Sequence, residues 1–238
     1  MPFTEKDAGV FFGREEEVQA LWEKIHSRRL LAVIGASGVG KTSFLRAGVI
    51  PARPEGWSAV HVTPGSNPAL GLARALTAEL AGDPEAMGEL LGGVNELTQT
   101  GETGLVLSAL KRWRAGYGDA LLVVDQFEEL FTLNSPETQQ RFASLLGRLV
   151  ADADIHVVLS LRDDFLIRCC EKAPLVSVLS DLTALLPLSD HDLRRALVEP
   201  AKKQGYCFDD DSLVGEIVSL VAGVRGAASG CSNNGWPT

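Results

Sequence analysis

Cysteine is scarce in this 238-residue chain: the four, Cys169, Cys170, Cys207 and Cys231, include a vicinal pair but no C-x-x-C spacing, which argues against zinc-ribbon and dithiol chemistry. They read as reduced thiols, small and structurally incidental. Positive charge is short as well. The 22 Lys and Arg face 31 Asp and Glu, a formal net charge of −9, so broad attraction to nucleic acid or anionic lipid is not expected, although a local basic pocket is compatible with the balance. No stretch approaches the ~20 apolar residues of a membrane span, and the first residues show no basic leader followed by an apolar run. A cytoplasmic protein without membrane contact is therefore expected. Self-similarity of solenoid or propeller length is missing too. His61 and His156 each sit inside a strand pattern with no second ligand at metal spacing, and they read as structural.

What is present is a sizeable apolar fraction, 45% against 22% charged residues, enough for one α/β core with a small helical addition. Helical stripes alternate with β-rich runs, the pattern of a parallel sheet covered on both faces. Val18, Leu21, Trp22 and Ile25 mark the first helix, and "LLAVIGA" follows as a buried strand. "WSAVHVT" predicts a second strand. Asn67 and Pro68 then cap a helix burying Ala69, Leu72, Ala73, Leu76 and Leu80. The Gly-rich, acidic stretch from Gly82 to Gly104 reads as a short helix with loops, before a helix facing inward through Val106, Ala109, Leu110 and Trp113. "ALLVVDQFEEL" predicts a strand ending in acid, Ser135 and Pro136 open another helix, and "IHVVLSLR" is the next strand. "ALLPLS" reads as a last short strand. Ser189 opens a further helix, and Leu213, Val214, Ile217, Leu220 and Val221 stripe the final one. These elements give a core over 1–188, a helical extension over 189–222 and an unpacked tail over 223–238.

Gly35, Ala36, Ser37, Gly38, Val39, Gly40, Lys41 and Thr42 fit G-x-x-x-x-G-K-[ST] between a predicted strand and helix. Glycines let successive backbone N–H groups turn inward on phosphate oxygens, and the helix that follows adds its positive end. Lys41 supplies a charge for the β- and γ-phosphates, Thr42 a hydroxyl for Mg²⁺, and Ser43 a contact to the α-phosphate. Asp125, at the end of a buried strand, is the expected second Mg²⁺ ligand. Gln126 is a poor base, so orienting the attacking water falls to Glu128, the first choice, or Glu129, unless both are merely solvated acids at a helix start. Arg162 ends a strand and faces the ligand crevice as a γ-phosphate sensor, or it pairs with Asp163 and Asp164.

"PFTEKDAGVFFGREEEVQAL", "LLAVIGASGVGKTSFLRAGVIP", "LLVVDQFEELFT", "VVLSLRDDFLIRC" and "LLPLSDHDLRRALVEPA" occur in this order, and together they resemble the bacterial novel STAND NTPase 1 family, signal-transduction ATPases with numerous domains. The resemblance runs from about Pro2 to about Val221. It implies a three-layer P-loop NTPase of the ASCE branch, strand order 5-1-4-3-2, with a helical extension after the sheet. It also implies ATP as the nucleotide, adenine contacts from Phe12, Gly13 and Arg14, a sensing role for Arg162, and partners that are other protein domains or further copies of the chain. The expected function is an ATP–Mg²⁺ switch with slow hydrolysis in signalling or defence. Alternatives are a non-hydrolysing nucleotide-binding scaffold, a DNA-loading ATPase of the origin-recognition type and, more weakly, a small-molecule kinase.

Overall fold

The computed structural model describes residues 2–180, 182–208 and 210–229. After a 3₁₀ turn at Glu5–Val10, the chain forms α1 (Glu15–Ser27) and β1 (Leu30–Ile34). Next comes α2 (Lys41–Ser43), which continues as π-helical backbone over Phe44–Val49. β2 (Trp57–Val62), α3 (Pro68–Leu76), α4 (Pro84–Gln99), α5 (Gly104–Ala115) and β3 (Asp119–Val124) follow, then α6 (Glu128–Leu133), α7 (Pro136–Asp152) and β4 (His156–Leu161). The remaining elements are α8 (Leu166–Cys170), β5 (Leu182–Ala184), α9 (Asp190–Lys203) and α10 (Asp211–Ser229).

The five strands form one parallel sheet in the order β2-β3-β4-β1-β5, the expected 5-1-4-3-2 read from the other edge. Parallel strands need crossovers, and helices laid on both faces bury both sides. Alternation along each strand sorts the core. Leu30 and Ala32 of β1, with Leu122 and Val124 of β3, pack under α3, α4, α5 and α7, whereas Leu31, Val33, Leu121 and Val123 meet α1 and the helix after the glycine-rich loop. The first helix buries Val18, Leu21, Trp22 and Ile25 as predicted. Caps fall where the side chains call for them: Asn67, Ser135 and Ser189 each accept an amide of the helix they open.

Five sequence expectations need correction. The stretch from Gly82 to Gly104 is mainly one 16-residue helix, α4. Asp83 caps it by accepting the Ala86 amide, and its glycines are interior residues. A Cβ at Gly93 would stand 2.5 Å from the backbone nitrogen of Val106, so the missing side chain lets α4 and α5 approach. The last strand is Leu182–Ala184, upstream of most of "ALLPLS", because these residues stand opposite Ala32, Val33 and Ile34 at the end of β1. On α10, among the residues whose burial is described, Val214 and Val218 are the buried ones, while Leu213 and Leu220 face outward. That helix also continues to Ser229, into the segment expected as an unpacked tail; residues 230–238, and with them Cys231, lie outside the described residues. Leu80 is buried as expected but lies past the end of α3.

The α4–α5 contact yields a paired prediction. Gly93→Ala destabilises the fold, since moving backbone to relieve a 2.5 Å contact costs about 1–3 kcal/mol, against a helix-propensity gain of about 1 kcal/mol. Gly88→Ala on the same helix meets no atom within 4 Å and raises stability by up to about 1 kcal/mol. Urea midpoints of the two variants moving in the same direction would contradict this packing.

Candidate functional site

β1 ends at Ile34 and the chain turns at once through the glycine-rich loop. Gly35 has no room for a side chain, since a Cβ would lie 2.7 Å from the Leu185 carbonyl oxygen just beyond β5. Gly38 and Gly40 adopt φ of +79° and +98° in open space, a left-handed backbone that glycine takes without strain. The Lys41 ammonium folds over this loop and donates to the carbonyls of Gly35 at 2.6 Å and Ala36 at 3.1 Å. Burial pushes its pKa below the ordinary lysine value, while the charges of Glu128, Asp125 and Asp163 pull the other way. The Ser43 hydroxyl accepts the Phe3 amide at 3.1 Å, which ties the N-terminal segment to the loop's helix.

Asp125 follows β3 and is 1% exposed. Its amide donates to Val62 at 2.8 Å, extending the β2–β3 ladder by one rung. Its Oδ1 accepts the Gln126 amide at 2.9 Å, and its Oδ2 faces His61 Nε2 at 3.3 Å. Burial opposes ionisation most strongly, yet contacts from His61, Thr42 and Ser160 hold the carboxyl below the usual aspartate range. The Ser160 hydroxyl is wholly buried and near this carboxylate, without the alignment of a formed hydrogen bond. The backbone then breaks direction: Gln126 takes φ of +50°, uncommon for a residue with a side chain, and Phe127 donates to the Ser160 carbonyl at 2.7 Å.

That turn starts α6, and its two glutamates diverge. Glu128 Oε2 accepts the Arg162 amide at 3.3 Å, toward β4. Glu129 Oε2 accepts the Gly65 amide at 3.1 Å, toward the loop after β2. The Arg162 guanidinium turns away from the loop to form a two-pronged pair with Asp164, at 3.0 and 2.7 Å, above the Phe165 ring. Of the two acids expected beside it, Asp164 is the one engaged.

A cavity of about 520 Å³ gathers these groups. Ser37, Gly38, Gly40, Lys41, Thr42 and Ser43 form one wall, and Asp125, Glu128, Glu129 and Arg162 form the other. Gly35 and Ala36 contribute carbonyls to Lys41 rather than lining the cavity, and Val39 packs against the α1 layer. Phe12, Gly13 and Arg14 are not brought to this cavity. Arg14 is 5% exposed and spends its guanidinium on Glu17 at 2.6 Å and the Leu186 carbonyl at 2.7 Å. A Cβ at Gly13 would collide with the Asp192 carbonyl oxygen at 2.6 Å, so this tripeptide docks the start of α1 onto the start of α9. Thr42 and Asp125, close enough across the two walls for the hydroxyl to reach the carboxyl, offer hydroxyl and carboxylate oxygens, a hard donor set that suits Mg²⁺. No cluster of three or more His, Cys, Asp or Glu side chains that could hold a metal occurs among the described residues.

Sequence reasoning missed the cavity roles of Gln126, Thr132 and Phe165, and the approach of His61 to Asp125. For His61 the one available signal was a polar residue interrupting an apolar strand. Its significance depends on the β2–β3 register, which pairs His61 with Val123.

A sequence profile described as Novel STAND NTPase 1 matches residues 1–228. No individually curated protein matches the chain. Among solved structures, a Walker-type ATPase of Pyrococcus abyssi is similar at TM-score 0.67 and 16% identity, covering 92% of this chain and 65% of that one. The Aeropyrum pernix ORC1 protein in complex with DNA is similar at TM-score 0.61 and 18% identity, over 89% of this chain and 55% of that one. DnaA from Aquifex aeolicus bound to AMPPCP is similar at TM-score 0.55 and 15% identity, over 92% and 62%. Identities this low speak for the fold, that of P-loop ATPases. The chain spans between 55% and 65% of the length of these three.

The Arg162–Asp164 pair is exposed on both sides, at 43% and 53%, so it contributes little to stability. Asp164→Asn shifts the urea unfolding free energy by less than about 1 kcal/mol. A loss of several kcal/mol would show Arg162 to be structurally committed.

Proposed function

We propose that this chain, which belongs to the novel STAND NTPase 1 family, is a nucleotide-controlled switch: it binds ATP with Mg²⁺, hydrolyses it slowly and couples the bound nucleotide to the arrangement of neighbouring protein domains. The observation that carries this reading is the single cavity in which the glycine-rich loop, Lys41, Thr42, Asp125, Glu128 and Arg162 meet. Loop amides and Lys41 take the phosphates. Bound through Thr42 and Asp125, Mg²⁺ would neutralise phosphate charge. Glu128 orients the attacking water; Glu129 is the lesser choice because its carboxylate turns to the loop after β2, whereas that of Glu128 turns to Arg162 at the end of β4. Arg162 exchanges Asp164 for the γ-phosphate, and that exchange gives the two nucleotide states different contacts, which is what shifts a population. ATP rather than GTP rests on the family alone, because the cradle reads phosphates and not the base. Phe12, Gly13 and Arg14 would act on the nucleotide indirectly, by holding α9 against the core.

The family and the net charge of −9 favour a cytoplasmic signalling or defence module. No described helix is long and apolar enough to cross a membrane. A second reading, DNA loading, draws on the likeness to a DNA-bound ORC1 and to a DnaA bound to AMPPCP and single-stranded DNA, at TM-score 0.52 and 15% identity. Acidic overall charge weighs against it, and the likeness extends over only part of those chains. DNA affinity that falls steeply with salt would establish this second reading.

Equilibrium binding of ATP–Mg²⁺ and steady-state phosphate release test the switch. Lys41→Ala weakens ATP–Mg²⁺ binding by about 10- to 100-fold, as expected for loss of a charge-assisted contact. Glu128→Gln keeps binding and lowers turnover by about 100-fold or more. Unchanged affinity in Lys41→Ala refutes the phosphate role, and binding without any turnover in the parent leaves a non-hydrolysing scaffold.

A further inference from the structure

Asp125 is flanked on both sides of the sheet by polar side chains from the neighbouring strands, His61 of β2 and Ser160 of β4. A carboxylate only accepts hydrogen bonds, so the 3.3 Å contact requires His61 Nε2 to carry the proton. Besides the Thr42 hydroxyl, which faces the cavity, the Gln126 amide donates to Oδ1 and His61 to Oδ2. Two donors on opposite oxygens fix the carboxylate plane, which neither could do alone. His61 is a costly choice for a merely space-filling position. Trp57 and Ala59, on the same face of β2, pack against the α1 layer, and an apolar residue at 61 would extend that layer without desolvating an imidazole.

From this geometry we infer that His61 is a positioning residue for the magnesium site: it holds the Asp125 carboxylate in the rotamer from which it serves the metal beside Thr42. The inference rests on the reading of Asp125 as the metal-binding acid. Magnesium tolerates little departure from octahedral geometry, so a ligand oxygen free to rotate binds it less well, and the hydrogen-bond partners of metal ligands typically influence affinity by about 10- to 100-fold. Ser160, whose hydroxyl completes no bond of good geometry, has no comparable hold.

The test is a titration of a fluorescent ATP analogue onto the full chain at increasing Mg²⁺ and in EDTA, with apo unfolding curves alongside. His61→Ala raises the half-saturating Mg²⁺ concentration about tenfold and leaves nucleotide affinity in EDTA unchanged. His61→Gln, which returns a donor at similar reach, restores most of the Mg²⁺ response. Should His61→Ala not fold, His61→Leu fills the strand position and carries the same comparison against Gln. Equal Mg²⁺ dependence in the parent and the Ala or Leu variant overturns the inference, as does an equal loss with and without Mg²⁺, or a Gln variant no better than Ala. Asp125→Asn separates the two levels. If it leaves Mg²⁺ dependence intact, the metal reading itself fails; if it abolishes that dependence while His61→Ala does not alter it, only the positioning role falls.

Discussion

Parallel pairing of β4 between β1 and β3 is the constraint on which the rest of this structure depends. Because all three strands run the same way, their carboxyl ends emerge at one edge, and each brings a piece of polar chemistry there. β1 delivers the glycine-rich loop, β3 delivers Asp125, and β4 delivers Ser160 and Arg162. The crevice beyond such ends is where open α/β sheets take their ligands. Here it is closed at the back by the Asp125 amide on Val62 and the Phe127 amide on Ser160, so the polar edge is stapled to the ladder by backbone bonds that only a proline would remove.

Charge in the cavity is arranged for exchange. Lys41 rests on two loop carbonyls, and Arg162 rests on an exposed carboxylate. Both partners are modest acceptors in solvent reach, and such contacts hold side chains in place at a cost of about 1 kcal/mol or less to break. A triphosphate offers denser negative charge and bidentate geometry for the guanidinium. Asp125 is the opposite case. It is buried, its oxygens are held by His61 and the Gln126 amide, and it stays ionised against the penalty of burial. The cavity thus sets one firmly held acid beside two cations whose own contacts are easily exchanged.

The N-terminal segment and α9 join the core through similar physics with a structural result. A guanidinium as buried as that of Arg14 must find partners, and it finds them in Glu17 and the Leu186 carbonyl. Lys203 of α9 reaches the Gly9 carbonyl at 2.7 Å, and Arg195 of the same helix pairs with Glu15. The residues before α1 thus bridge the glycine-rich loop's helix, through Phe3 and Glu5, to the helical extension. A sequence pattern that suggests nucleotide contacts is here engaged in holding the extension to the core.

By itself the sequence determined which segments are strands and which are helices wherever apolar periodicity was unbroken, as in α1, α5, α7, β1, β3 and β4. It also determined the glycine-rich loop between β1 and α2, because G-x-x-x-x-G-K-T is a local backbone requirement satisfied by its own residues. Interior glycines hid α4, since their value lies in the approach of α5, a tertiary contact that local propensity counts only as a cost. On α10, five apolar positions marked a stripe wider than the contact available, and packing chose Val214 and Val218 over Leu213 and Leu220. Strand order came from family likeness rather than from periodicity, which does not say which strands are neighbours. Only the tertiary structure decided that Arg14 is a strut, that Arg162 rests on Asp164, that the two glutamates of α6 point to different strands, and that His61 meets Asp125. Apart from Arg162 and Asp164, which are near neighbours in the chain, each of these depends on register between segments 34 to 172 residues apart, and a side chain's partner at that separation is set by the pairing of the sheet, not by its neighbours in the chain.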